Sequence, residues 1–227
     1  MCYNRYINAS SVILEVLRLA IYHLLILYFS EMEILEKIFG SATKAKLMRI
    51  FVYNPNTVYE AHNLAKKIKT RVENVKREIN VLEKSGLIRR RPTKNEDNRT
   101  VLGAVLNPHF KYLEPLRDFL LKVSPLSEEA LVKRLSLAGR VKMIVVSGIF
   151  INEDESRADL LLVSDRPDEK RLKKILSEME AEFGREVSYA LLSTEDFTYR
   201  MGMGDKLIRD VFDFPHKVIL NKIGLVE

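Results

Sequence analysis

The sequence predicts an α+β protein with a basic, mainly helical N-terminal domain followed by a small α/β domain. The chain has 227 residues, which allows one large domain or two small ones. Apolar residues recur at helical spacing between residues 42 and 85, whereas strand-like apolar runs alternate with helical patterns after residue 139. Basic charge is concentrated in residues 41–111, which contain 16 Lys and Arg against 6 Asp and Glu.

The composition excludes several classes of protein and site. A hydrophobic fraction of 47% excludes wholesale disorder. The single cysteine, Cys2, excludes a disulfide framework and any thiolate-rich metal site. The four histidines are scattered without ligand spacing, so neither a metal nor a cofactor is predicted. The net charge of +10 in residues 41–111 favours a polyanionic partner, most often nucleic acid, over a merely solvated basic surface.

The N-terminal residues contain an apolar run over residues 12–29. Its longest stretch without formal charge, from Leu19 to Phe29, has 11 residues, and a membrane-spanning helix needs about 20. We therefore expect no integral membrane span. Residues 1–31 are interpreted as an extension, or as a helix that packs on the protein or on a partner, with a peripheral membrane anchor as the alternative.

Three short helices are predicted in the basic block. The first covers Ala42–Tyr53 and the second Glu60–Ile68, each with apolar residues on one face. The third begins with a pattern typical of a capping box, in which the Thr70 hydroxyl and the Glu73 carboxylate cap each other's backbone amides. It ends at Gly86, a common C-terminal stop.

The third helix has an apolar stripe and a polar face opposite it. The stripe consists of residues spaced by three, four and three, namely Val72, Val75, Ile79 and Leu82. The polar face carries amide and guanidinium groups, which pair well with adenine and guanine edges. Its candidate DNA-binding residues are Arg71, Asn74, Lys76, Arg77, Asn80 and Lys84.

A basic β-hairpin is predicted after the third helix. Two β-rich runs, residues 87–91 and 100–106, are joined by a segment rich in turn-forming residues. Three helices followed by such a hairpin are typical of a winged helix-turn-helix domain, whose third helix enters the major groove while the hairpin lies along the backbone or minor groove. The candidate residues in the hairpin are Arg89, Arg90, Arg91, Lys94 and Arg99.

The block resembles a known family of DNA-binding domains. The helix LAKKIK, the stretch VENVKREINVLEKSGLI and the basic hairpin are similar to the winged-helix domain of small prokaryotic transcriptional regulators. The likeness covers about residues 33–110, and we place the domain at residues 32–108. It implies a cytoplasmic regulator that binds double-stranded DNA.

Residues 109–138 are predicted to form a helical connector. Its first helix, Phe110–Val123, has a narrow apolar seam of Leu113, Leu116, Leu120 and Val123. The seam is too short to decide between pairing within the chain and pairing across a homodimer. Ser127 is expected to cap a second helix that runs to about Ala138.

The C-terminal residues, 139–227, are predicted to form a small mixed sheet covered by helices. Strands are expected at Lys142–Ser147, Asp159–Val163 and Glu186–Leu192. A helix is expected to start at Pro167 and end at Phe183 before Gly184, and another to start at Thr194.

The C-terminal order also resembles the minimal nucleotidyltransferase fold, through the stretch VVSGIFINEDESRADLLLVSD. That family has Gly-Ser after one strand and Asp-x-Asp at the start of the next. Here the first pair is reversed, as Ser147-Gly148, and Arg157 replaces the first aspartate while Asp159 retains the second.

The resemblance therefore implies the nucleotidyltransferase fold without catalysis. Magnesium-dependent transfer needs two carboxylates on one face of a strand, and Arg157 places a cation there, where it is also free to pair with Asp159 and mask it. The acidic run at residues 153–155 is interpreted as a solvated loop rather than a substitute metal site.

Together these features predict a sequence-specific DNA-binding transcriptional regulator that is not an enzyme. Its nucleotidyltransferase-like domain is assigned to sensing or assembly, with a nucleotide or protein effector left open. Two alternatives remain at this point: an active magnesium-dependent nucleotidyltransferase with a nucleic-acid docking module, and an antitoxin-like autorepressor.

Overall fold

The computed structural model describes residues 34–123, 125–151, 153 and 156–224. From Ile34 onward the chain forms one compact unit. This part of the chain contains helices and two small sheets, so the predicted α+β class is confirmed. The apolar segment predicted over residues 1–31 lies outside the described residues.

Four helices and a hairpin form the first half. The elements, in chain order, are α1 (Ile34–Phe39), α2 (Ala42–Tyr53), α3 (Ala61–Lys67), α4 (Val72–Lys84), β1 (Ile88–Lys94) and β2 (Thr100–Leu106). Helix α2 begins where its sequence predicts, because the Ser41 hydroxyl accepts the Lys44 amide at 3.2 Å. The strands β1 and β2 pair antiparallel, and Tyr59 adds an isolated bridge to Ala104 on the outer edge of β2.

The first hydrophobic core lies between these helices and the base of the hairpin. Helix α2 contributes Leu47 and Phe51, and helix α4 contributes Val75 and Ile79; each is at most 1% exposed. Helix α5 (Leu113–Lys122) completes the core with two leucines of its predicted seam, Leu113 and Leu120. The seam therefore packs within its own chain.

The second half contains four helices and a four-stranded sheet. Its elements are α6 (Glu128–Ser136), β3 (Gly139–Val146), β4 (Leu160–Pro167), α7 (Glu169–Phe183), β5 (Tyr189–Leu192), α8 (Thr194–Gly202), α9 (Lys206–Phe212) and β6 (Lys217–Asn221). The strand order is β5-β4-β3-β6, with β4 and β5 parallel and the other pairs antiparallel. The predicted mixed sheet is confirmed.

Helices cover both faces of this sheet. Side chains alternate along a strand, so neighbouring residues of β3 enter different cores. Ile144 and Val146 join the cluster formed with α6 and α7, whereas Met143 and Val145 join the cluster formed with α8 and α9. The strand is consequently apolar over its whole second half.

Several predicted bounds in this half differ from the structure. The strand β3 begins at Gly139 rather than Lys142, and β4 ends at Pro167 rather than Val163. Pro167 does not open α7 but ends β4, and Asp168 caps the helix by accepting the Arg171 amide at 3.0 Å. Proline fits this edge of the strand pairing because it has no amide to donate. The strand β5 begins at Tyr189 rather than Glu186, and α6 ends at Ser136 rather than about Ala138.

The two halves are joined by a buried arginine on α2. Arg49 is 1% exposed and donates to the carbonyls of Val123, at 2.6 Å, and Glu182, at 3.3 Å. Nearby, the Asn54 amide donates to the Gly184 carbonyl at 3.2 Å. Gly184 has φ +74°, and a Cβ there would lie 2.8 Å from the Ile50 nitrogen. The end of α7 thus packs directly on the backbone of α2.

Candidate nucleic-acid interface

Helix α4 begins one residue later than the predicted capping box requires. Its N-cap is Arg71, which forms no side-chain capping hydrogen bond, so the prediction of a Thr70–Glu73 box is wrong. The reason lies in the preceding turn. Lys69 adopts φ +54° and the Thr70 amide donates back to Ala65, which keeps Thr70 in the turn and delays the helix.

The C-terminal end of α4 agrees with the sequence. Gly86 has φ +82°, and the Leu87 amide reaches back to the Leu82 carbonyl at 3.1 Å. Leu82 and Leu87 are both buried, so this turn sets the direction in which the chain enters β1. The hairpin therefore starts at a fixed position relative to the helix.

The polar face of α4 is open to solvent. Arg71, Lys76, Arg77, Asn80 and Lys84 are exposed, while Asn74 is half-buried near the start of the helix. The Arg77 side chain is 68% exposed, although one of its nitrogens lies 3.5 Å from a Glu78 carboxylate oxygen. This face can therefore reach a large ligand without rearrangement of the core.

Glu78 is the exception on this helix, because it is buried. Its carboxylate accepts the Ser41 hydroxyl at 2.9 Å and lies 3.7 Å from the Lys44 ammonium. It thus fastens α4 to the start of α2. Glu78 was not among the predicted site residues, and its spacing of three from Val75 and four from Leu82 is the signal that places it beside the apolar stripe.

The hairpin splits its run of three arginines between two faces. Directly paired residues of antiparallel strands share a face, and successive residues alternate. Ile88 pairs with Leu106, and both are buried, so their face is the one that packs on the helices. Arg90 lies on that same face, whereas Arg89 and Arg91 project from the opposite one and are exposed.

Arg90 fastens the hairpin to α4. Its Nε donates to the Glu83 carboxylate at 2.8 Å and its Nη2 donates to the Asn80 side-chain oxygen at 2.6 Å. The guanidinium charge is thereby balanced within the protein. The three consecutive arginines were predicted to share one role, but Arg90 occupies a different position from its two neighbours.

The tip of the hairpin is a compact turn that contacts α3. The Asn95 side-chain oxygen accepts the Arg99 amide at 2.8 Å, and Asn98 adopts φ +60°. The Glu96 carboxylate receives a hydrogen bond of 2.7 Å from the Lys66 ammonium. This bond holds the pKa of Glu96 below its usual value. Lys94 and Arg99 remain exposed beside it.

Two basic residues depart from what charge counting suggested. Arg49 contributes to the basic block by sequence, but it is buried against α7 and faces no ligand. Its position between Met48 and Ile50 in an apolar helix is the sequence signal for that burial. Lys66 was not among the predicted DNA-binding residues, yet its side chain is 56% exposed and lies next to the hairpin tip.

The motif that resembled a nucleotidyltransferase site has a structural role here. Asp159 is 6% exposed, and its carboxylate accepts the Ile149 amide at 2.9 Å and the Ser188 amide at 2.8 Å. Both of its oxygens are thus occupied by the backbone of its own fold. The expectation that Arg157 is free to mask Asp159 is wrong, because Arg157 pairs with Asp210 at 2.9 Å.

The described residues contain no group of three or more His, Cys, Asp or Glu side chains placed to hold a metal ion. Within the same part of the chain, none of the helices combines the length and the apolar character that crossing a bilayer requires.

Comparisons with known proteins return no match for this chain, whether with models of protein families, with curated proteins or with solved structures.

Proposed function

We propose that this protein is a sequence-specific DNA-binding transcriptional regulator in which residues 32–108 form a winged helix-turn-helix domain. In this proposal, α3 braces α4, α4 enters the major groove, and the hairpin contacts the backbone or minor groove beside it. The isolated bridge between Tyr59 and Ala104 supports the assignment, because it ties the segment between α2 and α3 to the edge of the hairpin.

The observation that carries the proposal is a set of exposed cations on α4 and on both faces of the hairpin attached to it. Helix α4 supplies Lys76, Arg77 and Lys84, and the hairpin supplies Arg89, Arg91, Lys94 and Arg99. The hairpin is fixed to the helix by the bonds from Arg90 to Glu83 and Asn80. Fixed cations on two neighbouring elements match the two strands of phosphates that border a DNA groove.

Helix α4 and the hairpin are proposed to make different kinds of contact with DNA. Arg77 and Asn74 lie on the helix that would face base edges, where guanidinium and amide groups discriminate between bases. Arg89 and Arg91 lie on the face of β1 that points away from α4, and they are suited to phosphate contacts. Alanine at Arg77 should relax sequence preference, whereas alanine at Arg89 should weaken binding to all duplexes about equally.

The decisive experiment is selection of binding sites from a random duplex library with the full chain, followed by titration of the selected site at several salt concentrations. About six to eight phosphate contacts give a slope of log affinity against log salt near −5 to −7. A flat salt response, or no duplex binding at low salt, would overturn the proposal.

For the second half we propose a nucleotidyltransferase-like fold that has no transfer activity and serves sensing or assembly. The occupied carboxylate of Asp159 supports this, because a magnesium ion would have to displace two backbone amides from it. Arg157, two residues away on the chain, is paired with Asp210 and supplies no carboxylate for a metal ion. Incubation with labelled ATP, CTP, GTP or UTP, magnesium or manganese, and RNA or protein acceptors should transfer no label.

Label incorporation that disappears in an Asp159→Ala variant with an intact fold would instead favour the enzyme.

The homodimer predicted through residues 109–123 remains a prediction. Its leucine seam is used within the chain, so a dimer would have to form through other residues of that helix, such as Phe119, which is 40% exposed.

A further inference from the structure

The hairpin carries an exposed apolar pair on its helix-facing side. Along that face the buried pair Ile88–Leu106 is followed by Arg90–Ala104 and then by Pro92–Leu102. The first two pairs are covered by the core or by α4, but the third extends beyond them. Leu102 is 60% exposed and Pro92 is exposed too. Two apolar side chains thus lie together on the surface, cross-strand neighbours about 5 Å apart by the usual geometry.

Exposed cations lie beside this pair and behind it. Lys94 and Thr100 form the next pair on the same face, whereas Arg91, next to Pro92 along the strand, projects from the opposite face. Lys94 and Arg91 are exposed. The hairpin therefore carries an apolar pair on one face and an exposed cation on each of its two faces.

A narrow two-stranded ribbon with an apolar pair and a cation on each face complements the minor groove of duplex DNA. The groove has base edges and deoxyribose carbons at its floor and walls, and a row of phosphates on each side. Proteins that bind there commonly press apolar side chains such as Leu or Pro against a base step, which unstacks the step and bends the duplex.

The hairpin is attached to α4, which fixes where the apolar pair lies relative to that helix. Arg90 lies on the same face of β1, two residues before Pro92, and it donates hydrogen bonds to Glu83 and Asn80 of α4. Pro92 also stiffens β1, since its ring fixes φ, and it fits this outer strand because an edge strand need not donate at every position. The apolar pair is therefore held at a set position relative to the helix.

We propose that Pro92 and Leu102 form a wedge that enters the minor groove next to the site read by α4 and deforms the DNA there. The inference rests on the proposed DNA-binding function and adds a mode of recognition to it. Sequence preference would then extend to bases that no side chain reads by hydrogen bonds, with flexible pyrimidine–purine steps favoured because they deform at lower cost.

The area of the pair argues against a membrane as the occupant. One leucine and one proline present far less apolar surface than the helix face that interfacial membrane proteins insert. Lys94 and Arg91 fit a phosphate-lined groove as well as they fit anionic headgroups, so vesicle binding serves as a separate arm of the test.

The experiment compares the full-length wild type with Leu102→Ala on selected duplexes of about 24 base pairs that carry a fluorescent donor and acceptor at their ends. Anisotropy gives affinity and energy transfer gives bending. We expect Leu102→Ala to lose about tenfold in affinity, with the salt slope unchanged, because it removes apolar contact and no charge. The bend should decrease, and the preference for a TA step over a GC step beneath the hairpin should disappear.

Lys94→Ala is the matched control, since it is the neighbouring position on the same face. It should reduce the salt slope by about one and leave the bend in place. Because Leu102 is exposed, its replacement leaves the core intact, and a melting curve verifies this.

Each outcome discriminates. Wild type that binds no duplex overturns the DNA-binding function itself. If Leu102→Ala binds and bends DNA as well as the wild type does, only the wedge is overturned. Binding to vesicles of phosphatidylcholine and phosphatidylglycerol that depends on Leu102, in the absence of duplex bending, would replace the groove by a lipid surface and overturn the wedge.

Discussion

The Asp159 carboxylate occupies the space that a side chain at Gly148 would need. Gly148 has φ +52°, and a Cβ on it would lie 1.9 Å from Asp159 Oδ1. The same carboxylate accepts the amides of Ile149 and Ser188, so the turn after β3 closes directly onto an acidic group between β4 and β5. Glycine is required at this turn for both its backbone conformation and its lack of a side chain.

Gly148→Ala should therefore destabilise the protein by about 3 kcal/mol, since it combines backbone strain with displacement of a buried, hydrogen-bonded carboxylate. Denaturant unfolding measures the change. Gly202→Ala is the control, because Gly202 ends α8 with nothing within 4 Å of an added Cβ. It should change stability by at most about 0.5 kcal/mol. Equal effects of the two variants would contradict the packing described for Gly148.

Arg90 and Glu83 should be energetically coupled. Single alanine variants and the double variant form a thermodynamic cycle, and we expect a coupling free energy of about 0.5–1 kcal/mol, as is usual for partly exposed ion pairs. On DNA, Arg90→Ala should weaken binding by releasing the hairpin while the salt slope stays nearly constant, because Glu83 already balances its charge.

Arg89→Ala is the matched comparison for that variant, as the adjacent arginine on the other face of β1. It should reduce the slope by about one unit, the value expected for one lost phosphate contact. The same loss of slope in both variants would show that Arg90 also contacts phosphate.

Glu96→Gln should strengthen DNA binding. The substitution removes a negative charge from the hairpin tip and releases Lys66, which Glu96 now holds at 2.7 Å. We expect about a threefold gain at low salt and a steeper salt slope, measured by anisotropy. Asp97→Asn removes the same charge from the same turn and leaves the Lys66–Glu96 pair in place, so its gain should be smaller. Equal gains would show that Lys66 is not involved.

The pH dependence of this pair has a definite sign. The hydrogen bond and charge of Lys66 lower the pKa of Glu96 from its usual 4.5. The pair therefore stabilises the protein at pH values above the usual pKa of 4.5. This contribution is lost as the pH falls through the lowered pKa. The charge of His62 also lowers this pKa, so the test is made on the alkaline side of neutrality. Between about pH 7 and 8 the Glu96→Gln effect on affinity should be constant, and a change across that range would contradict the assignment.

Arg49→Met should destabilise the protein by about 2–3 kcal/mol, because the partly buried carbonyls of Val123 and Glu182 lose the charged donor that bonds them. The effect of Arg49→Met on the salt dependence of DNA binding should be negligible, since the guanidinium is buried. Lys76→Met, on the exposed face of α4, should give the reverse result: little change in unfolding free energy and a smaller salt slope. Thermal or denaturant unfolding and anisotropy together check both.

Local sequence determined the elements from α2 to β2. The stripe of Val75, Ile79 and Leu82 and the glycine stop at Gly86 act over one or two helical turns, so their consequences follow without knowledge of distant residues. The hairpin was predictable for the same reason: its turn-forming residues separate two runs with strand propensity. The basic character of this block was equally a property of the sequence.

Tertiary structure decided which of those cations are free and what the motif residues do. Arg49, Arg90 and Arg157 look alike in a charge count, yet the first is buried against α7, the second pairs with α4 and the third pairs with Asp210. Each partner comes from another secondary-structure element, brought near by the packing of the core, and no local period encodes such a contact. The same holds for Asp159, whose carboxylate is committed to amides ten residues before it and 29 residues after it along the chain.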